Sequence, residues 1–77
     1  MINPTERAIT NLRPGESVID YIYPTQYELL EKYFVDPLRL IDQVDEILHK
    51  RKFVEPIKYP FKYILAVASR SNWPVKQ

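Results

Sequence analysis

Apolar side chains recur at helical spacing from residue 25 onward, and they predict a first amphipathic helix there. At about 100° per residue, one arc of about 160° contains five large apolar positions, and polar residues lie outside it. These positions are Tyr27, Leu29, Leu30, Tyr33 and Phe34. Thr25 and Glu28 have the spacing of a capping box, so we expect the helix to begin at Thr25 and to turn this arc toward the core.

A longer helix is predicted from Asp36 to Arg51. Asp36 and Pro37 are the residue types of a helix cap and of the first helical position. The apolar stripe of this helix spans about 180°, which predicts contact with two neighbouring elements. It consists of Leu38, Leu40, Ile41, Val44, Ile47 and Leu48. Basic residues from His49 onward suit the negative end of the helix dipole, so part of this basic cluster has a structural explanation.

Pro60 predicts the start of a last helix that ends near Ser71 or Asn72, after a linker over residues 53–59. Its inward stripe is expected to contain Phe61, Ile64, Leu65 and Ala68. A second face groups Tyr63, Val67 and Arg70 within about 60°, with Lys62 at its edge. This second face is therefore the candidate for contact with a partner.

The first 24 residues carry weaker signals. Asn3, Pro4 and Glu6 have the pattern of a helix start, which predicts a short helix to about Leu12. A turn at residues 13–15 follows, and residues 17–23 fit an extended or a helical conformation. We expect an all-α fold, a small bundle of three to four short helices in a single domain over residues 1–77, with 1–24 as an N-terminal arm or short helix and 25–74 as the helical module.

Composition narrows the function classes. The chain of 77 residues has no cysteine, which removes disulfides and thiolate metal sites and favours a reducing cytoplasm. Its longest apolar run is the six residues from Tyr63 to Ala68, far from the roughly 20 that a membrane span needs, and no signal peptide is indicated. A single glycine, Gly15, argues against a glycine-rich phosphate loop.

Charge is divided unequally along the chain. Residues 1–48 contain four cations and nine carboxylates, whereas residues 49–77 contain seven cations and one carboxylate. Such asymmetry indicates a polyanionic partner at the basic end, and it also fits a solvated surface or an acidic-to-basic contact between two copies.

Three stretches over residues 27–74 resemble the C-terminal helical module of DnaD-like proteins and of related phage and plasmid replication initiators. They read YELLEKYF, DPLRLIDQVDEILHKRKF and EPIKYPFKYILAVASRSNWP, and the tail with Pro60, Tyr63 and Trp73 is the most distinctive part. The resemblance implies a role in the start of DNA replication without catalysis. It implies binding to single-stranded DNA or to the replicative helicase or its loader.

Cations and aromatic rings alternate near the carboxyl terminus, as single-strand binding requires. The candidate binding residues are Lys50, Arg51, Lys52, Lys58, Lys62, Tyr63, Arg70 and Trp73. The leading hypothesis is a small DNA-replication accessory protein of phage, plasmid or bacterial origin. The alternatives are a module or inhibitor that binds a larger host protein, a self-associating protein, and a plain structural role in which the rings complete the core and the cations cover it.

Catalytic and metal chemistry have little support in the sequence. His49 is the only histidine, and no cysteine or second histidine accompanies it. Asp42, Asp45 and Glu46 are expected to form a solvated helix face rather than a cation site. We therefore expect no enzyme activity, no cofactor, no metal and no small-molecule substrate.

Overall fold

Three α-helices and one short 3-10 helix make up the regular structure of residues 7–76, the part of the chain that the computed structural model describes. The 3-10 helix spans Val18–Tyr21, and it is followed by α1 (Pro24–Tyr33), α2 (Pro37–Lys50) and α3 (Pro60–Arg70). The predicted all-α fold class is confirmed. No helix in this range is long and apolar enough to cross a membrane.

Each α-helix begins at a proline, because a proline lacks the N–H that the first helical turn leaves unpaired. The predicted capping box of Thr25 and Glu28 is wrong, since Thr25 lies within α1 and is not its N-cap. Tyr23 is its N-cap, and the Gln26 side-chain oxygen accepts the Tyr23 N–H at 2.9 Å. Asp36 precedes α2 as predicted, but it adopts the left-handed conformation and its side chain forms no cap hydrogen bond.

The core lies around α2, which packs against α3 and the 3-10 helix. Four residues of the predicted α2 stripe are buried, namely Leu40, Ile41, Val44 and Leu48. The stripe is narrower than predicted, because Leu38 is 61% exposed and Ile47 is 37% exposed. Two neighbours cover α2, but they do not cover the whole apolar arc.

The inward faces of α1 and α3 also differ from the prediction. Only Leu30 of the α1 arc is fully buried, while Leu29 and Tyr33 are exposed, so α1 lies at the rim of the core. On α3, Val67 from the predicted outer face is buried, and Leu65 from the predicted inner stripe is exposed. The helix is thus rotated so that its buried line runs through Pro60, Ile64, Val67 and Ala68.

The predicted helix ending near Leu12 is wrong over residues 7–12, which contain no helix. Instead, Ile9 forms an isolated antiparallel bridge with Ile57. Both backbone hydrogen bonds of the pair measure 2.9 Å, and both side chains are buried. Pairing with a distant segment thus replaces local helix hydrogen bonds. The proposed helix start at Asn3, Pro4 and Glu6 lies outside the described residues.

The chain after α3 folds back onto the junction of α1 and α2. Asn72 has a positive φ of 51°, and the Trp73 N–H reaches the Ala68 carbonyl at 2.9 Å, which closes α3 as in a Schellman motif. The last residues then run antiparallel to the junction, where Val75 forms a bridge with Phe34. The predicted end of the helix near Ser71 and Asn72 is therefore confirmed.

Candidate functional site

Arg51 stands at the point where α2 ends and the linker begins. Its backbone leaves the helical region, so the side chain projects toward α3 instead of continuing the helix surface. The guanidinium carbon lies 5.0 Å from the centre of the Phe53 ring and 5.9 Å from that of Tyr63. Both distances allow a cation–π interaction. The predicted residues Arg51 and Tyr63 therefore lie together.

Tyr63 also borders a small cleft between α2 and α3, with a volume of about 190 Å³. Ile47 from α2 forms one wall, and Tyr63, Val67, Arg70 and Ser71 form the other. Tyr63 and Arg70 share a side of α3 because seven residues make about two helical turns. The cleft thus combines an apolar floor with an aromatic ring and a guanidinium.

A second cation–ring pair lies at the start of α3. The Lys62 ammonium is 5.1 Å from the centre of the Tyr59 ring, which is 58% exposed. Tyr59 is the N-cap of α3, so this pair lies at the N-terminal end of the helix that also carries Tyr63 and Arg70. We call Arg51, Phe53, Tyr59, Lys62, Tyr63 and Arg70 the basic–aromatic surface.

The cations of this surface have no carboxylate partner among residues 7–76. The one ion pair in that range joins Lys50 to Glu46 at 3.0 Å, on the exposed side of α2. Arg51, Lys62 and Arg70 therefore contribute three positive charges without an ion-pair partner in that range, and such charges attract anions.

The other predicted site residues lie elsewhere or stand alone. Lys52 and Lys58 are exposed in the linker and belong to no ion pair or cation–ring contact within the described chain. Lys50 is engaged on α2 with Glu46. Trp73 is half-buried on the opposite side of the α3 end, where its indole N–H donates to the Val35 carbonyl at 2.7 Å. The structure does not bring Trp73 to the basic–aromatic surface.

Phe53 and Tyr59 belong to this surface but are absent from the predicted set of binding residues. Both come from the linker, whose path no helical period predicts. The alternation of basic and aromatic residues from Arg51 to Tyr63 is the available sequence signal.

The residues considered for catalysis or metal binding have structural roles. A His49 ring nitrogen lies 3.2 Å from the Glu16 carbonyl oxygen. Asp45 accepts the Ser17 hydroxyl and the Val18 N–H, each at 2.7 Å, and so attaches the 3-10 helix to α2. The expectation that Asp45 belongs to a solvated face is therefore wrong. Within the described range, no group of three or more His, Asp or Glu side chains is arranged to hold a metal ion.

Comparison with known proteins identifies no relative. The chain matches no protein-family model, and neither the curated proteins nor the solved structures contain a significant match. The chemistry of the basic–aromatic surface is therefore the basis for a function.

Proposed function

We propose that the basic–aromatic surface binds single-stranded DNA and that the chain acts as a small DNA-replication accessory protein. One observation carries the proposal. The Arg51 guanidinium lies close to the Tyr63 ring, and Arg70 lines the same cleft as Tyr63. Neither arginine has a carboxylate partner within residues 7–76. The resemblance of residues 27–74 to replication initiators supports the replication setting.

Phosphates and bases have separate counterparts on this surface. Arg51, Lys62 and Arg70 supply charges that follow a phosphate backbone. Tyr59 presents a ring that is largely exposed to solvent. Any of the bases can stack on such a ring, so the contact does not depend on the DNA sequence. Stacking requires a base with a free face, which an intact duplex does not offer, so the ligand is single-stranded.

The contacts within the free protein do not oppose this binding. An exposed cation–π contact such as that of Lys62 with Tyr59 contributes only about 0.5–1 kcal/mol. A stacked base contributes about 1–3 kcal/mol, so it can replace the lysine, which then turns to a neighbouring phosphate.

Fluorescence anisotropy of a labelled oligonucleotide, measured over a range of salt concentrations, tests the proposal. Three phosphate contacts predict that the logarithm of the binding constant falls with the logarithm of salt with a slope of about −2. Arg70→Gln or Lys62→Gln should each reduce that slope by about 0.7, because one phosphate contact is lost. Tyr59→Leu should lower the affinity by about 5- to 150-fold with little change in slope.

Lys32→Gln is the matched control, because the Lys32 ammonium also lies over an exposed tyrosine ring, 5.8 Å from the centre of Tyr33, but on α1. It should leave both affinity and slope unchanged. Undetectable binding at low salt would refute the proposal. So would an equal loss in Lys32→Gln and Lys62→Gln, or equal affinity for a duplex of the same sequence.

A further inference from the structure

The side of α2 opposite its buried stripe forms one wall of an open groove of about 640 Å³. Asp36, Arg39, Asp42, Gln43 and Glu46 line this wall, and Trp73 stands on the other side. This groove is separate from the basic–aromatic surface. We call the five α2-side residues, together with Lys50, the charged α2 face.

The charges on this face are available to a partner. Asp36, Arg39 and Asp42 form no hydrogen bond or ion pair through their side chains with any residue of the described chain. Glu46 pairs with Lys50, but both side chains are strongly exposed, at 68% and 75%. An exposed pair of this kind contributes about 0–1 kcal/mol, so another pairing can replace it at little cost.

When two copies of α2 are aligned in opposite directions, these charges bring a negative residue of one copy opposite a positive residue of the other. Gln43 lies midway between Asp36 and Lys50, seven positions from each, and nearly midway between Arg39 and Glu46. When two copies of α2 lie antiparallel about a twofold axis at Gln43, Asp36 of each copy faces Lys50 of the other. Arg39 of each copy then faces Glu46 of the other.

From this we infer that two copies of the chain associate through their charged α2 faces, with the α2 helices antiparallel. The twofold axis repeats each ion pair, so the interface contains four pairs between opposite charges, against one like-charge contact between the two Asp42 carboxylates beside the axis. A parallel arrangement instead places like charges against each other, which is unfavourable. The charge order thus selects both the partner and its orientation.

The groove supplies an apolar border for such an interface. Trp73 is half-buried and is fixed in place by its hydrogen bond to Val35. Gln43 is also held, because its amide nitrogen donates to the Ser71 hydroxyl at 2.9 Å. The residues at the proposed axis are therefore ordered before association, which reduces the entropic cost of binding.

Sedimentation velocity of the full chain without DNA tests the inference. The wild type should form a dimer at low salt, and the dimer should weaken as salt screens the pairs. Arg39→Glu or Glu46→Arg alone should raise the dimer dissociation constant by about tenfold or more, because each reversal turns two attractive pairs into repulsive ones. The double variant R39E/E46R should restore dimerisation to near the wild-type constant.

Restored dimerisation in R39E/E46R would show that the single substitutions act at the interface and not on folding. Arg39 and Glu46 lie about 10 Å apart along α2, so they cannot compensate each other within one chain. Glu55→Arg, a reversal at an exposed linker residue, is the control and should leave the constant unchanged. The exchange D36K/K50D provides a second pair if a single variant fails to fold by circular dichroism. A wild type that stays monomeric at low salt, or folded double variants that stay monomeric, would overturn the inference.

Discussion

Glu16 is a carboxylate whose pKa is lowered by its surroundings. The Arg13 backbone N–H donates to its carboxylate at 3.0 Å, and this bond is the main cause that holds the pKa of Glu16 below its usual value of 4.5. The Tyr21 hydroxyl, 3.2 Å from the same carboxylate, adds to the effect. Burial and the charge of Glu16 raise the pKa of Tyr21 in turn. Glu16 thus fixes the turn that leads into the 3-10 helix.

This lowered pKa predicts a defined pH dependence of stability. A carboxyl whose pKa is lower in the folded state stabilises the fold fully above its unfolded pKa, and the contribution is lost as pH falls through the folded pKa. The difference in unfolding free energy between wild type and Glu16→Gln should therefore be largest above the usual value of 4.5 and should shrink at lower pH. Urea denaturation at a series of pH values measures it. Glu55→Gln is the control, and a pH-independent difference for Glu16→Gln would contradict the prediction.

Residue roles were predictable only where the partner is close in sequence. The end of α3 near Asn72 follows from local residue types, since asparagine tolerates the left-handed conformation that closes a helix. The role of Asp45 could not be predicted in this way, because its hydrogen-bond partner Ser17 is 28 residues away in the sequence. Trp73 was misplaced for a related reason. The turn at Asn72 reverses the chain and directs the indole toward Val35, which is 38 residues away in the sequence.

At the scale of elements, proline position and apolar period predicted where helices occur. They did not predict how the helices are rotated or what pairs with the segments between them. Only Leu30 of the expected α1 arc is fully buried, and the junction after α1 pairs with the C-terminal segment. The bridge at Ile9 depends on the linker residue Ile57, and no period in either segment signals that pairing.

The bridge between Ile9 and Ile57 should contribute substantially to stability. Ile9 has no exposed surface, and its backbone exchanges two hydrogen bonds with Ile57. Ile9→Ala keeps those hydrogen bonds but leaves a cavity, and we expect a loss of about 2–5 kcal/mol in unfolding free energy. Chemical denaturation measures it. Thr10→Ala, at the exposed neighbouring residue, should change stability by less than about 0.5 kcal/mol. Equal effects of the two substitutions would show that the N-terminal segment is not part of the core.

The whole molecule separates its charges from its core. The side chains of the core are all apolar within the described range, and the one ion pair there is exposed. The unequal division of charge along the sequence predicted a basic region near the carboxyl terminus. It did not predict which cations meet a ring, because the path of the linker between α2 and α3 decides that Arg51 reaches Tyr63.

This separation predicts that salt weakens the proposed DNA binding but does not weaken the fold. Raising salt from about 0.05 M to about 0.5 M screens exposed charges almost completely. The urea midpoint should stay constant or rise, because little attraction is lost while repulsion among Arg51, Lys62 and Arg70 is reduced. Over the same range the affinity for single-stranded DNA should fall by about a hundredfold. Measurement at a protein concentration well below the dimer dissociation constant removes the contribution of self-association to stability. A midpoint that falls with salt would contradict the prediction, since it would mean that ion pairs stabilise the fold.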